Sequence, residues 1–171
     1  RTPGSEGLWK RIIQILCSFE SMLIFRWGIL GLGKIAHKFA EDLKTISGAQ
    51  LQAVGSRSKE RADEFAQTHG APFSFGTYAG LIDSGEVDAV YIATPHTSHL
   101  ELTLACLEAG VPVLCEKPMG MNLSQVQTMV QAAEKHQTYL MEALWTRFLP
   151  STKKLLALLD KGEIGKVEGL R

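Results

Sequence analysis

The sequence predicts an α/β protein with a doubly wound parallel sheet. From residue 23 onward, short apolar runs alternate with amphipathic segments of helical length, which is the pattern of βαβ units. No hairpin signal joins neighbouring apolar runs, so the strands are expected to be connected through helices and to run parallel. Right-handed crossovers then place helices on both faces of the sheet.

The order of the elements follows from the same alternation. The predicted strands are 23–30, 51–55, 72–75, 89–93, 113–115 and 138–141, and the predicted helices are 34–46, 58–68, 78–82, 99–109, 123–136 and 153–161. The first helix has an apolar residue every three or four positions, at Ile35, Phe39, Leu43 and Ile46. Gly110 is expected to end the fourth helix, and Asn122 or Ser124 to cap the fifth.

Composition excludes several classes of function. The chain has 171 residues, of which 45% are hydrophobic, and it carries 18 basic and 18 acidic side chains. A balanced charge gives no attraction to nucleic acid or to an anionic membrane, so neither partner is expected. The three cysteines, Cys17, Cys106 and Cys115, are odd in number and widely spaced. Their number and spacing suit a reducing compartment, and hence a cytoplasmic protein. The apolar surroundings of Cys106 and Cys115 indicate buried inert thiols.

The two ends of the chain differ from its middle. Residues 1–21 are interpreted as an extension of uncertain status, because Met22 is a plausible natural start and strand-like sequence follows it. A membrane span needs about 20 apolar residues, and Glu20 and Arg26 interrupt any such window, so none is expected. Residues 22–145 are predicted to form one domain. After Pro150 the pattern changes, and a strand begins near residue 167, so residues 146–171 are interpreted as the start of a second, truncated domain.

A glycine-rich loop follows the first predicted strand. Residues 31–36 read GLGKIA, matching G-x-G-x-x-G/A between a strand and a helix, which is the context of a dinucleotide-binding Rossmann fold. The first glycine permits the tight turn, the second admits a pyrophosphate to the helix N-terminus, and the alanine allows close packing. The residues predicted to bind the cofactor here are Gly31, Leu32, Gly33, Lys34, Ile35 and Ala36. The alternative is a purely structural turn.

The end of the second strand bears on the choice of cofactor. NAD enzymes have an acidic residue here that binds the ribose 2′-hydroxyl, whereas this chain has Ser56, Arg57 and Ser58, with Arg61 one helical turn later. Guanidinium and hydroxyl groups suit a 2′-phosphate. NADP is therefore expected, with NAD less favoured, and Ser56, Arg57 and Arg61 are predicted to bind it. Alternatively, Arg57 is a solvated loop residue.

Two further segments follow the fourth and fifth predicted strands. Thr94, Pro95 and His99 are expected to lie against the cofactor, because strand carboxyl ends line the ligand crevice of open α/β sheets. His99 can alternatively be a packed imidazole, and two histidines three apart without a third ligand do not indicate a metal site. Glu116 and Lys117 end the fifth strand. A lysine at this edge can orient a hydroxyl, stabilise an alkoxide or exchange its proton.

Together these motifs resemble the Gfo/Idh/MocA oxidoreductase family. The resemblance rests on GLGKIA, ATPHTSH and LCEKPMG, and on the later MEALWTRF, and it covers residues 22–171. MEALWTRF most resembles the branch of dihydrodiol dehydrogenases and NADP-dependent D-xylose dehydrogenases. The resemblance implies a Rossmann domain followed by an α+β substrate domain, which often carries an oligomer interface. A homo-oligomer is therefore expected for the full-length protein.

The same resemblance assigns roles to individual residues. It makes Lys117 catalytic, places Glu116 near the nicotinamide ribose, and puts Trp145 and Arg147 at the mouth of the active site. All four are also predicted to contact the cofactor. The alternative for the last two is a core tryptophan and a surface arginine. The implied activity is NADP-dependent hydride transfer at a hydroxyl carbon of a sugar or cyclic diol. This chain alone is expected to be inactive, because further catalytic residues belong to the second domain. The rival is a non-catalytic nucleotide-sensing regulator of the same fold.

Overall fold

A computed structural model describes residues 24–163, 165, 166, 168 and 169. The predicted extension 1–21 lies outside these residues, as does most of the strand predicted from residue 167. The described part contains strands β1 Phe25–Leu30, β2 Ala49–Gly55, β3 Phe73–Phe75, β4 Ala89–Ile92, β5 Val113–Cys115 and β6 Leu140–Glu142. Its helices are α1 Lys34–Leu43, α2 Lys59–His69, α3 Tyr78–Ile82, α4 His99–Glu108, α5 Leu123–His136 and α6 Pro150–Asp160. Short 3₁₀ turns span His96–Ser98 and Trp145–Phe148.

The six strands form one parallel sheet in the order β3-β2-β1-β4-β5-β6. One face packs against α1 and α2, around the buried rings of Trp27, Phe39 and Tyr91. The other face packs against α3, α4 and α5. The predicted doubly wound α/β fold is therefore confirmed. The strand order reverses between β1 and β4, and open α/β sheets bind ligands at such a switch point.

Helix α1 is shorter than predicted and presents a different face. It ends at Leu43 rather than at residue 46, because the Thr45 amide and hydroxyl both donate to the Asp42 carbonyl. Ile35 is 38% exposed, although its spacing in the sequence groups it with Phe39 and Leu43. The buried stripe consists of Ala36, Phe39, Ala40 and Leu43, and these positions share one side of a 3.6-residue helix that excludes position 35.

Capping residues set the other helix ends. Ser58 caps α2 by accepting a hydrogen bond from the Arg61 amide. Asn122, one of the two predicted caps, caps α5 through the Gln125 amide. Gly110, with a positive φ of 72°, follows α4 as predicted. Helix α6 starts at Pro150, three residues earlier than predicted, because proline suits the first turn of a helix, where no intrahelical donor is needed.

The two described cysteines, Cys106 and Cys115, are buried and free, as predicted. Burial, with a smaller contribution from the neighbouring thiol, raises the pKa of Cys106 to about 12. Burial likewise raises the pKa of Cys115 to about 12. Both groups therefore stay protonated and unreactive at neutral pH.

Over the described residues, no helix is both long enough and apolar enough to cross a bilayer.

A histidine pair joins α1 to α2. Nδ1 of His37 lies 2.7 Å from Nε2 of His69, and both rings contact Phe65. The buried Nδ1 of His69 has no hydrogen-bond partner. Burial, followed by the charges of His37 and Lys44, lowers the pKa of His69 below its ordinary value of 6.5.

This lowered pKa sets the sign of a pH effect on stability. Between the folded and unfolded pKa values of His69 the unfolded chain binds more protons, so the free energy of unfolding falls as the pH drops below 6.5. One such group contributes a slope of at most about 1.4 kcal/mol per pH unit. We expect His69→Phe to remove this slope in urea titrations between about pH 7.5 and about pH 5.5. The exposed His96, changed to Phe, is the control. Equal slopes in the unsubstituted chain and His69→Phe would contradict this assignment.

Candidate cofactor-binding site

A crevice of about 420 Å³ opens at the carboxyl edge of the sheet. The loops after β1, β2 and β4 meet there, since the Gly31 amide donates to the Gly55 carbonyl at 3.1 Å and the Ala93 amide to the Leu30 carbonyl at 2.8 Å. The crevice brings together eight residues predicted as a cofactor site: Gly31, Leu32, Gly33, Ser56, Arg57, Arg61, Thr94 and Pro95. Its remaining lining residues are Ser58, Tyr78 and Ala93.

The glycine loop fits an anion at the start of α1. Gly31 has a φ of 87°, and a Cβ there would lie 2.7 Å from the Thr94 side chain. A Cβ on Gly33 would meet nothing within 4 Å, so this side of the backbone is open. Gly33 is the N-cap of α1 and supplies no side-chain cap. The first amides of the helix are therefore available to a negatively charged group.

Thr94 contributes a polar group that lacks a protein partner. Its side chain is 7% exposed, and its Oγ1 makes no hydrogen bond within the described chain. Buried hydroxyls are normally satisfied. Because Thr94 lines the crevice beside Gly31, this unpaired hydroxyl suits a polar ligand.

The β2 end of the crevice is cationic. The buried Ser56 hydroxyl accepts from the Ser58 amide at 3.2 Å and so shapes the turn. Arg57 and Arg61 line the crevice, and both are exposed. Within the described residues no carboxylate pairs with either guanidinium. Both cations are therefore free to bind a phosphate.

Lys117 lies at the same edge but outside the lining of this crevice. It is exposed, and the Glu116 amide before it donates to Ile92 of β4 at 3.0 Å. The Glu116 carboxyl group is buried. It accepts from the Tyr91 hydroxyl at 2.6 Å and from the Lys117 amide at 3.0 Å. Each of its two oxygens therefore already has a hydrogen-bond donor within the protein.

His99 lies in the protein interior. It has no exposed surface, and its two ring nitrogens lie 3.0 Å from the carbonyl oxygens of Thr94 and Pro118. This position agrees with the packed imidazole that was the alternative, and it leaves His99 no surface with which to touch a cofactor. His99 instead packs between the loop after β4 and the turn after β5.

The other predicted site residues occupy the rim. Lys34 and Ile35 are exposed on the first turn of α1, outside the crevice lining, while Ala36 is buried beneath it. Trp145, 36% exposed, and the exposed Arg147 form the turn after β6. They lie at the same edge of the sheet but do not line the crevice, so their placement at an active-site mouth stays a prediction.

Sequence reasoning missed Tyr78 as a crevice residue. It begins α3 directly after the Thr77 cap, and the β3 carboxyl end precedes it. An aromatic residue at that place was a usable signal, because it follows a strand that ends at the ligand edge.

In the part of the chain that the structure describes, no three His, Cys, Asp or Glu side chains converge as a metal site requires.

Known proteins match this chain in both sequence and structure. A family model described as "Oxidoreductase family, NAD-binding Rossmann fold", GFO_IDH_MocA, matches residues 25–144. A trans-1,2-dihydrobenzene-1,2-diol dehydrogenase of Danio rerio is 42% identical over 151 residues, which cover 87% of this chain and 45% of the relative.

Two solved structures share the fold over most of the chain. KijD10, a 3-ketoreductase of Actinomadura kijaniata crystallised with NADP, has a TM-score of 0.75 and 29% identity over 81% of this chain and 44% of its own. An oxidoreductase of Agrobacterium radiobacter in complex with NAD⁺ has a TM-score of 0.78 and 28% identity over 84% of this chain and 42% of its own.

The chain thus spans less than half the length of the relatives it matches. The family model nevertheless covers all six described strands, together with the glycine loop and the turn that carries Lys117. The chain belongs to the Gfo/Idh/MocA family of oxidoreductases with an NAD-binding Rossmann fold.

Proposed function

We propose that this chain is the cofactor-binding half of an NADP-dependent oxidoreductase. The observation that carries the proposal is the crevice at the β1/β4 switch point, where an open helix N-terminus and two unpaired arginines meet. A dinucleotide needs a site for its pyrophosphate, and the glycine loop supplies one. NADP additionally needs cations for its 2′-phosphate, and Arg57 and Arg61 supply them.

Different residues of the crevice bind different groups of the cofactor. Gly31, Gly33 and the first amides of α1 hold the pyrophosphate, and Arg57 and Arg61 hold the 2′-phosphate. The unpaired Thr94 hydroxyl hydrogen-bonds to the cofactor. The bound cofactor supplies the hydride acceptor and donor.

Lys117 handles the proton of the reacting hydroxyl. Its ammonium side chain is exposed at the ligand edge, while its backbone is anchored by Glu116. An exposed cation on a fixed backbone can stabilise an alkoxide and exchange a proton with it. Trp145 and Arg147 line the approach to this lysine.

The complete protein acts on a hydroxyl carbon of a sugar or cyclic diol. This is in keeping with the dihydrodiol dehydrogenase name of its relative. Residues 22–145 form the cofactor domain, and residues 146–171 lead into the substrate domain. Cytoplasmic location, assembly into a homo-oligomer and inactivity of this chain alone belong to the same proposal.

Binding by arginine variants tests the choice of cofactor. We expect Arg57→Ala to weaken NADPH binding by about tenfold to a hundredfold, the value of one charge-assisted hydrogen-bond pair. The double variant Arg57→Ala/Arg61→Ala is expected to weaken it further. Isothermal titration of the 171-residue chain measures both effects.

NADH is the matched control, because it lacks the 2′-phosphate that the arginines bind. We expect its affinity to be lower than that of NADPH and to change by less than about threefold in both variants. A clear preference of the unsubstituted chain for NADH would overturn the assignment of NADP. So would an equal loss of both ligands in Arg57→Ala.

A further inference from the structure

Three side chains from different elements hold the turn that carries Lys117. The Lys117 amide donates to Glu116 at 3.0 Å, and the Met119 amide donates to Glu142 of β6 at 2.8 Å. Between them, the Pro118 carbonyl lies 3.0 Å from Nδ1 of His99 on α4. The Lys117 and Met119 amides therefore both have side-chain partners, which limits how far the lysine backbone can shift.

The Glu116 side chain is the partner closest to Lys117, and it depends on a second residue. Its carboxyl group is 7% exposed, and burying such a group is costly unless it is hydrogen-bonded. No described Lys, Arg or His forms an ion pair with it. The Tyr91 hydroxyl donates to Oε1 at 2.6 Å, which leaves Oε2 aimed at the Lys117 amide.

Tyr91 is itself rigidly held. Its ring has no exposed surface and stacks on Phe39 of α1, with ring centroids 4.2 Å apart and planes 20° apart. Burial, and next the nearby Glu116, raise the pKa of Tyr91 far above its ordinary value. The hydroxyl therefore keeps its proton at neutral pH and acts as a hydrogen-bond donor.

We propose that Tyr91 is a positioning residue for Lys117, acting through the Glu116 carboxyl group. The inference rests on the proposed function of Lys117 in proton handling. Tyr91 fixes one oxygen of Glu116, and the other oxygen fixes the Lys117 amide. The helix whose N-terminus faces the crevice, α1, is thereby connected through Phe39 and Tyr91 to the turn that carries Lys117.

Tyr91→Phe tests this connection, because it removes only the hydroxyl and keeps the ring on Phe39. In ¹⁵N-labelled chain, we expect the Lys117 amide resonance to move and its protection from hydrogen exchange to fall about tenfold. Tyr139→Phe is the matched control. Its hydroxyl is at the surface, 3.6 Å from the Met141 sulfur, so the Lys117 amide should not respond to it.

The complete protein provides the functional readout. We expect Tyr91→Phe to slow single-turnover hydride transfer about tenfold while the NADPH dissociation constant stays within about twofold. If Tyr91→Phe does not fold, Glu116→Leu replaces it, because a leucine side chain cannot accept a hydrogen bond from the Lys117 amide. An unchanged Lys117 amide in a folded variant overturns the inference.

The outcomes separate this inference from the proposed function. A loss of hydride transfer in Lys117→Met together with an unaltered amide and rate in Tyr91→Phe would overturn the positioning role alone. An unaltered rate in Lys117→Met would overturn the function of the lysine. In that case, a shifted Lys117 amide resonance in Tyr91→Phe would still support the contact from Tyr91 through Glu116 to the Lys117 backbone.

Discussion

Replacing Gly31 with alanine is expected to cost both stability and cofactor binding. The residue has a φ of 87°, and a Cβ there would lie 2.8 Å from the Thr94 amide nitrogen and 2.9 Å from the Ala93 carbonyl carbon. These are backbone atoms of the neighbouring loop, so a rotamer change cannot relieve the clash. The strained dihedral and the clash together amount to about 3 kcal/mol, which urea denaturation measures.

Gly33→Ala is the matched control, and it separates folding from binding. Gly33 has a φ of −86°, and a Cβ there meets no protein atom within 4 Å. We therefore expect the free energy of unfolding to stay within about 0.5 kcal/mol. The added methyl nevertheless stands where a pyrophosphate must approach, so NADPH affinity should fall about a hundredfold.

The two glycine variants each have an outcome that would contradict the roles assigned to the glycine loop. If Gly31→Ala unfolds at the same urea concentration as the unsubstituted chain, the close approach of the β1 and β4 loops is misplaced. If Gly33→Ala binds NADPH normally, the pyrophosphate does not lie on the α1 N-terminus. Circular dichroism and isothermal titration on the same samples distinguish these outcomes.

Lys117→Met is expected to abolish most hydride transfer in the complete protein. Methionine keeps the length of the side chain but removes the ammonium group that handles the hydroxyl proton. Loss of a general acid–base group costs about a hundredfold to ten-thousandfold in rate. Stopped-flow absorbance of the nicotinamide under single-turnover conditions measures this step apart from product release.

Two controls accompany this experiment: the NADPH affinity of Lys117→Met, and the rate of a variant at a distant lysine. NADPH affinity should change by less than about threefold, because the proposed cofactor contacts come from other residues. Lys153→Met, on the exposed side of α6, should leave the rate unaltered. A Lys117→Met enzyme that transfers hydride at the original rate would contradict the role assigned to the lysine.

The sheet and much of its ligand edge could be predicted because their signals are local. Apolar runs, the tight turn at Gly31, and the helix ends at Gly110 and Asn122 are each dictated by neighbours in the chain. The crevice follows from topology, since parallel strands bring their carboxyl ends to one edge. Eight predicted cofactor residues therefore meet in one place although they come from three loops.

The contacts that depend on tertiary packing could not be predicted in this way. His99 was assigned to the cofactor because it follows a strand, yet its ring is enclosed between two carbonyl oxygens. Likewise, nothing local to Tyr91 indicates that its hydroxyl reaches Glu116, which is 25 residues away. The spacing of apolar residues groups Ile35 with Phe39 and Leu43, but the rotation of α1 against the sheet buries Ala36 and leaves Ile35 exposed.

The most direct test of the account is to map where NADPH binds. In ¹⁵N-labelled chain, saturating NADPH should shift the amides of residues 31–36, 56–61 and 94, with smaller shifts from NADH at residues 56–61. The crevice at the carboxyl edge is lined by residues 31–33, 56–58, 61 and 94 of this set, and the others adjoin these in the chain. No binding, or shifts confined to residues 25–27, 112–114 and 139 at the opposite edge of the sheet, would contradict the account.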